Sequence, residues 1–411
     1  MSTTATELLA PRLEQRIVPG LDRVNLALDQ LGHPERAFAS VLVVGTNGKG
    51  ATAALLASIL EAHGVCTGLF TSPHLVHVEE RIRVGGRRIE PADLARLVDG
   101  LREFPELSYF ETLTVAALRH FAASGVRVAV LEAGLGGRWD AVNAVAPVVS
   151  LLTNVGTDHQ VWLGPTRGHV AAEKAAALRG REAIVGAWDS EVEPVIRAHA
   201  EAALTLASGW ASVETRGPGS DRSVGFGAAG AQGFATLPLL GAHQVANLRL
   251  ALAGAAALAR HGAMPPLDAD AVRCGIEAVR WPGRLQWVEH EGRRLLLDGA
   301  HNREAAAILC TALDELNLTG RVDLLFSCLL DKPLAAIAAL LRPRVCAVTV
   351  VPLDSPRATA ASELAAAFPG ATGAPDVATA LASLSSQRPT LATGSLYLVG
   401  EILRLTGGVD D

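Results

Sequence analysis

The residues best suited to chemistry lie in Val41-Leu42-Val43-Val44-Gly45-Thr46-Asn47-Gly48-Lys49-Gly50. This apolar run breaks into a glycine-rich turn with one lysine, and a stretch rich in Ala and Leu follows. A short strand feeding such a turn stacks backbone N–H groups into a concave nest, and the next helix adds its positive N-terminal dipole. Both features suit the phosphates of a nucleotide. Thr46, Asn47 and Lys49 offer phosphate-directed donors, with Lys49 as the mobile charge for the β- and γ-phosphates. The strict pattern G-x-x-x-x-G-K-[ST] is not met, because Val43 stands where the first glycine belongs and Gly50 follows the lysine.

Three more polar clusters sit just after apolar runs. Glu132 opens Ala133-Gly134-Leu135-Gly136-Gly137, where a carboxylate with cleared space beside it suits Mg²⁺, although a lone Glu favours the reading of a helix-capping acid. Asp158-His159 follows Leu151-Leu152-Thr153-Asn154; a single His is more often a packed or surface residue than a ligand. Asp298-Gly299-Ala300-His301-Asn302 follows Leu295-Leu296-Leu297 and offers an acid and a histidine to a nucleotide from a second domain. Lys174, within Ala172-Glu173-Lys174-Ala175, reads from periodicity alone as a solvated helix lysine.

Strands must position these groups. Apolar runs alternate with helical stretches from residue 40 onward, the α/β pattern. Strands are predicted at Val41 to Val44, Gly68 to Thr71, Val126 to Leu131, Val148 to Thr153 and Ala183 to Val185. A second set is predicted at Leu295 to Leu297, Val322 to Ser327, Val345 to Val351 and Thr390 to Thr393. The polar residues fall at the ends of these runs, where parallel sheets bind ligands. Residues 208–235 read as a loop or short β excursion, 244–279 as helical, and the Ala runs near 361–383 as ordinary helices.

At 411 residues two domains are expected. Trp281-Pro282-Gly283-Arg284 marks the boundary, giving an ATP-binding domain over 1–285 and a smaller Rossmann-like domain over 286–411. A net charge of −6 argues against a nucleic-acid coat or a membrane-surface binder. No apolar run reaches membrane-spanning length. Cys66, Cys274, Cys310, Cys328 and Cys346 are scattered without C-x-x-C spacing, as in a reduced cytoplasmic protein with no zinc site. The segment Met1-Ser2-Thr3-Thr4-Ala5-Thr6 shows no signal-peptide pattern, so the sequon Asn317-Leu318-Thr319 is read as coincidence.

Taken together, Gly45-Thr46-Asn47-Gly48-Lys49-Gly50, Thr71-Ser72-Pro73-His74-Leu75, Leu131-Glu132-Ala133-Gly134-Leu135-Gly136-Gly137 and Asp158-His159 resemble the folylpolyglutamate synthase/dihydrofolate synthase family. So do Gly241-Ala242-His243-Gln244-Val245-Ala246-Asn247, Pro282-Gly283-Arg284-Leu285, Asp298-Gly299-Ala300-His301-Asn302, Asp331-Lys332 and Gly394-Ser395-Leu396-Tyr397. The ordered similarity spans roughly residues 14 to 405. This family belongs to the Mur ligase group of ATP-dependent amide-forming enzymes. The resemblance implies a Mur-ligase-like P-loop ATPase domain joined to the smaller domain, with the active site in the cleft between them. It also implies ATP and Mg²⁺, an acceptor carboxylate activated as an acyl phosphate, and attack by the amine of L-glutamate.

Residue by residue, the resemblance gives Gly48, Lys49 and Gly50 to the phosphates, with Gly45, Thr46, Asn47 and Thr52 in the same loop and helix start. It gives magnesium to Glu132 and His159, and the ATP phosphates to Asn247 and Arg284. Asp298 and His301 are expected to close on the nucleotide. Lys174 matches a family lysine that is carbamylated, which needs a neutral amine and hence burial. Lys49, Lys174 and His159 are therefore the expected catalytic groups. Thr71, Ser72, Pro73 and His74 match the pterin-side loop, as do Phe110 and Glu111.

Several positions depart from the family. Ala51 stands where a Ser or Thr hydroxyl meets magnesium, and neighbouring Thr52 is rotated by about 100° along a helix. The stretch Ala175-Ala176-Ala177-Leu178-Arg179-Gly180 lacks the family's Gly-Ile and Lys-Pro-Gly elements. Arg303 replaces a proline, and Val78-Glu79-Glu80-Arg81 differs from Phe-Asn-Glu-Arg. The rival readings are a Mur-group ligase with another acceptor and an ATP-binding paralogue with weakened or lost activity. The partners expected are small molecules only, namely a pteroate or folate, L-glutamate and ATP, acting on a monomer.

Overall fold

The computed structural model describes residues 4–12, 19–216 and 222–408. Residues 1–3 and 14–18 of the segments read above, and 217–221 of the expected β excursion, lie outside them. The described chain falls into two compact units. The first takes in residues up to Arg216, with Ser223–Thr236 and Gln244–Val279. The second takes in Arg222, Leu237–His243 and residues from Arg280 onward.

Eight strands form the main sheet of the first unit: β1 (Ala39–Val44), β2 (Thr67–Phe70), β3 (Ile82–Val84), β4 (Arg87–Arg88), β5 (Val128–Glu132), β6 (Val149–Leu152), β7 (Glu182–Val185) and β8 (Leu204–Leu206). Their order is β4-β3-β2-β5-β1-β6-β7-β8. The six strands from β2 to β8 in that order are parallel, while β3 and β4 add antiparallel to the edge. Strand β1 is apolar without a break from Val41 to Val44, as suits a parallel strand buried on both faces. Its register sets Val43 beside Glu132 and Val44 beside Leu152. The carboxyl ends of β1, β5 and β6 therefore deliver Gly45, Glu132 and Thr153-Asn154 to one edge.

The helix Lys49–Ala62 is buried almost all round, which its run of Ala, Gly and Leu permits. The helix Ala269–Ala278 lies against it so closely that a Cβ on Gly275 would come 2.6 Å from Ile59 Cα. Ser58 Oγ also donates to Gly275 O at 2.7 Å.

Three antiparallel strands, β9 (Ala211–Arg216), β10 (Ser223–Ala228) and β11 (Ala231–Thr236), make the β excursion a small sheet. Its two-residue turn has Ala229 and Gly230 both at positive φ, the geometry that matches strand twist. The helical stretch after it is two helices, His243–Arg260 and Ala269–Ala278.

The second unit holds one sheet of six strands, β12 (Gln286–His290), β13 (Arg293–Leu297), β14 (Asp323–Phe326), β15 (Val348–Val350), β16 (Thr372–Gly373) and β17 (Thr390–Thr393). The order is β12-β13-β17-β14-β15-β16, with only β12 antiparallel. Its own core packs Leu296, Leu324, Phe326 and Leu391 against Leu309, Leu313, Ile337 and Phe368. No helix among the described residues is long and apolar enough to cross a membrane.

Candidate active site

Gly45 leaves β1 at φ 147°, and Gly48 caps the following helix at φ 85°. Both positions demand glycine for a second reason. A Cβ on Gly45 would strike the Thr153 hydroxyl, and one on Gly48 would strike Asn247 Oδ1. The turn between them is held by β6's exit. Thr46 N donates to Asn154 O at 3.0 Å, and Asn47 N to Asn154 Oδ1 at 3.1 Å. Asn154 Nδ2 donates to Asn47 O at 2.9 Å, and Gly156 N to Thr46 Oγ1 at 2.8 Å. Asn154, which the sequence places at a strand exit but not in the site, is thus the brace of the loop.

Lys49 Nζ donates to Thr46 O at 3.2 Å, so the lysine folds back over its own loop. Gly50 and Ala51 follow it, both buried in the first turn of the helix. Thr52 is completely buried, and its hydroxyl has no hydrogen-bond partner among the described residues.

Lys174 is not a solvated lysine. It is buried near the end of the helix Arg167–Ala175, and its Nζ donates to Gly45 O at 2.7 Å. Burial first, then the charge of Lys49, pull its pKa down to about 7, against Asp158 and Asp140. Asp140 is an unforeseen member of this group. Burial pushes its carboxyl up to about 6, against the N–H groups of Leu135 and Val142 and the charge of Lys49. Leu135 N donates to Asp140 Oδ2 at 2.8 Å and Val142 N to Oδ1 at 3.2 Å. An Asp three residues past Gly136-Gly137 carries no mark of burial in the sequence.

Glu132 is buried at the end of β5 and accepts from Ser72 N at 2.9 Å. His159 occupies a left-handed position (φ 61°) at the start of the short helix Gln160–Leu163, with Nε2 3.8 Å from Asp158 Oδ2. No group of three or more His, Cys, Asp or Glu side chains is gathered for a metal among the described residues. A divalent ion carried on nucleotide phosphates needs only one or two protein carboxylates, so the buried Glu132 beside the phosphate loop fits that role.

Thr71 and Ser72 are held by backbone donation, from Thr71 N to Arg81 O at 3.0 Å and from Ser72 N to Glu132. Pro73 follows Ser72 through a cis peptide. His74 Nδ1 accepts from Arg81 Nε at 2.8 Å; burial first, then Arg81 and His77, drive its pKa down to about 3. It is a neutral ring at any ordinary pH. Phe110 packs on Phe70, with centroids 5.6 Å apart, and against Gly134. Glu111 closes a capping box with Ser108 and pairs with Arg23 at 2.7 Å.

Asn247 Nδ2 donates to Gln244 Oε1 at 2.9 Å, within the first unit and against Gly48. Within the second unit, the buried Asp298 ends β13 and accepts from Leu285 N at 3.1 Å and Ala300 N at 2.9 Å. The ring of His301 turns back on Gly299 O at 2.7 Å. Arg284 Nη1 donates to Gly283 O at 3.2 Å, and its guanidinium lies against Gly299. Asp298, His301 and Arg284 are therefore one cluster on one loop pair.

The Mur ligase middle domain matches residues 43–255, and the Mur ligase glutamate ligase domain matches residues 283–395. A dihydrofolate synthase/folylpolyglutamate synthase of Mycobacterium tuberculosis is 35% identical, over 84% of this chain and 76% of its own length. One from Bacillus subtilis is 32% identical over 84% of each. The chain belongs to the folylpolyglutamate synthase/dihydrofolate synthase family of Mur ligases. It spans 42% of a Haloferax volcanii family member, a probable bifunctional folylpolyglutamate synthase/dihydropteroate synthase that is 34% identical.

Solved members of the family share the whole fold. E. coli FolC in complex with DHPP and ADP superposes with a TM-score of 0.86 at 30% identity, covering 99% of this chain and 98% of that one. The Yersinia pestis bifunctional enzyme complexed with AMPPNP and Mn ion gives a TM-score of 0.84 at 31% identity, covering 98% of both.

Proposed function

We propose that this chain is an ATP-dependent ligase that joins L-glutamate to a pteroate or folate carboxylate, as dihydrofolate synthase, folylpolyglutamate synthase or both. The observation that carries the reading is Lys174. A structural lysine has no reason to be buried with its amine on a carbonyl of a phosphate loop. A lysine that must lose its proton and take up CO₂ does, because carbamylation needs a neutral amine. An ATP-binding paralogue without ligase chemistry has no use for that arrangement.

A carboxylate is a poor electrophile, because its leaving group would be an oxide. Transfer of the γ-phosphoryl group to it creates an acyl phosphate, whose leaving group is phosphate, and the glutamate amine then displaces it. In this assignment Gly45 to Gly50 wrap the phosphates with backbone N–H groups, and Lys49 spreads the charge that develops during transfer. Glu132 and His159 would hold Mg²⁺, which when bound neutralises phosphate charge. Asn247 steadies the loop from behind Gly48. Arg284, Asp298 and His301 are assigned to the nucleotide. Thr71, Ser72, Pro73, His74 and Phe110 are assigned to the acceptor, with neutral His74 adding no charge to an aromatic ligand. Glu111 is committed to Arg23 and Ser108, so we give it a positioning role behind Phe110.

We further propose that the enzyme acts as a monomer in the cytoplasm; its five cysteines are free, as suits a reducing compartment. Incubation with ATP, Mg²⁺, dihydropteroate and L-glutamate should yield a monoglutamylated product by mass spectrometry. Without L-glutamate no such product should form. Its absence in the complete mixture, and with tetrahydrofolate as acceptor, would remove the ligase reading.

A further inference from the structure

Six tryptophans are present in the chain. Three of them are covered by arginine: Arg197 lies over Trp188 at 4.6 Å, Arg260 over Trp210 at 5.5 Å and Arg294 over Trp287 at 4.5 Å. Trp139 and Trp162 differ. They are 52% and 51% exposed, and among the described residues neither indole has a hydrogen bond, a stacked ring or a cation. Val161, beside Trp162, is 91% exposed. Single exposed apolar residues are ordinary, but a group of them marks a ligand or partner surface.

The two segments that bear these side chains are packed together. A Cβ on Gly136 would come 2.8 Å from Leu163 Cδ2, so the loop carrying Trp139 rests directly on the short helix carrying Trp162. Both segments also begin at the chemistry. Trp139 precedes Asp140, whose carboxyl feels Lys49, and Trp162 follows Asp158 and His159, of which Asp158 acts on Lys174. On the loop's other side Gly134 seats the Phe110 ring, at 2.9 Å from a would-be Cβ to Cζ. The segments that bear the exposed indoles thus adjoin those that carry Asp140, Asp158 and Phe110.

We propose that Trp139 and Trp162 form an aromatic platform for the aminobenzoyl ring of the carboxylate substrate, and so set which carboxylate substrate is used. This rests on the ligase reading above and deepens it. An aminobenzoyl carboxylate carries its ring one bond from the reacting carbon. Once that carbon lies at the phosphate loop, the ring needs a flat apolar surface immediately beside it. Indoles offer such a surface with little rotamer freedom to lose, and they favour offset or edge contact with another ring. Neither residue touches ATP or L-glutamate in this account.

Steady-state kinetics of Trp139→Ala and Trp162→Ala test the proposal, with tryptophan fluorescence as a binding readout. Each variant should raise KM for dihydropteroate about tenfold, in line with the strength of ring stacking, and leave KM for ATP and L-glutamate within about twofold. Trp139→Phe should restore most of the affinity. Acceptor should quench wild-type fluorescence, with less quenching in each alanine variant. Unchanged acceptor KM and unchanged quenching in active variants would overturn the platform while leaving the ligase reading intact. So would a variant that alters only self-association by sedimentation, which would make the patch an interface between copies. If Trp139→Ala does not fold, Trp139→Phe and Trp162→Ala with quenching still decide. Failure of the wild type to turn over any pteroyl acceptor would instead sink the ligase reading, and the platform with it.

Discussion

Desolvation of the Lys174 ammonium strains the site electrostatically, with two measurable consequences. The unfolded chain keeps this proton to the ordinary value of 10.5, whereas the folded chain releases it near 7. Between those values the unfolded state binds more protons, so folding stability should rise with pH across that window. Lys174→Met should flatten the rise in denaturant midpoint between pH 7 and pH 9; an equal slope in both proteins would show that the amine is not strained. Lys174→Ala should lose most of the ligase activity in a folded protein, with partial rescue by short carboxylic acids that replace the carbamate. Near-normal activity of the alanine variant would return Lys174 to a structural role. Two neighbouring positions on the phosphate-loop helix make a second test. Ala51→Ser should lower the Mg²⁺ concentration needed for half-maximal rate, by restoring a hydroxyl in place of water. Thr52→Val removes a buried hydroxyl that has no partner among the described residues, so it should stabilise the fold by about 1 kcal/mol and leave turnover unchanged. If Thr52→Val abolishes Mg²⁺-dependent turnover and Ala51→Ser changes nothing, Thr52 is the metal's hydroxyl.

Elements carry the site because parallel strands end together. Gly48→Ala should test this most sharply, since it forces a side chain into left-handed backbone and against Asn247. The left-handed conformation alone costs about 1–2 kcal/mol, and the collision disturbs the loop, so ATP affinity should fall at least about tenfold by calorimetry. Retained affinity would mean that the loop does not hold phosphates. The same elements show what was legible in the chain. Strands such as Val41 to Val44 and Leu295 to Leu297 declare themselves as apolar runs, and their exits hold the polar clusters. Strands β3 and β4 do not, because Arg83, Arg87 and Arg88 mask the alternation around the tight Gly85-Gly86 turn. Strand β12 hides in the same way behind Gln286, Glu289 and His290. The burial of Lys174 is not written in its own helix pattern and follows only from the family resemblance, and Asp140 was not legible at all, because burial is a property of what packs on a residue. Gly137, against Glu173 O and Lys174 O, packs the loop onto the helix that carries Lys174.

At the scale of the whole molecule, two parallel sheets each present their catalytic candidates at strand ends. One gathers phosphate-directed donors and a low-pKa lysine; the other gathers Arg284, Asp298 and His301. The central claim is that such a molecule spends ATP only to activate a pteroyl carboxylate. The most direct measurement is ADP release with dihydropteroate and tetrahydrofolate compared in parallel, each with and without L-glutamate. The account expects ATP turnover to require an acceptor, and sustained turnover with glutamylated product to require L-glutamate. Equal ADP release in the absence of any acceptor, or turnover with no glutamate incorporated, would contradict it.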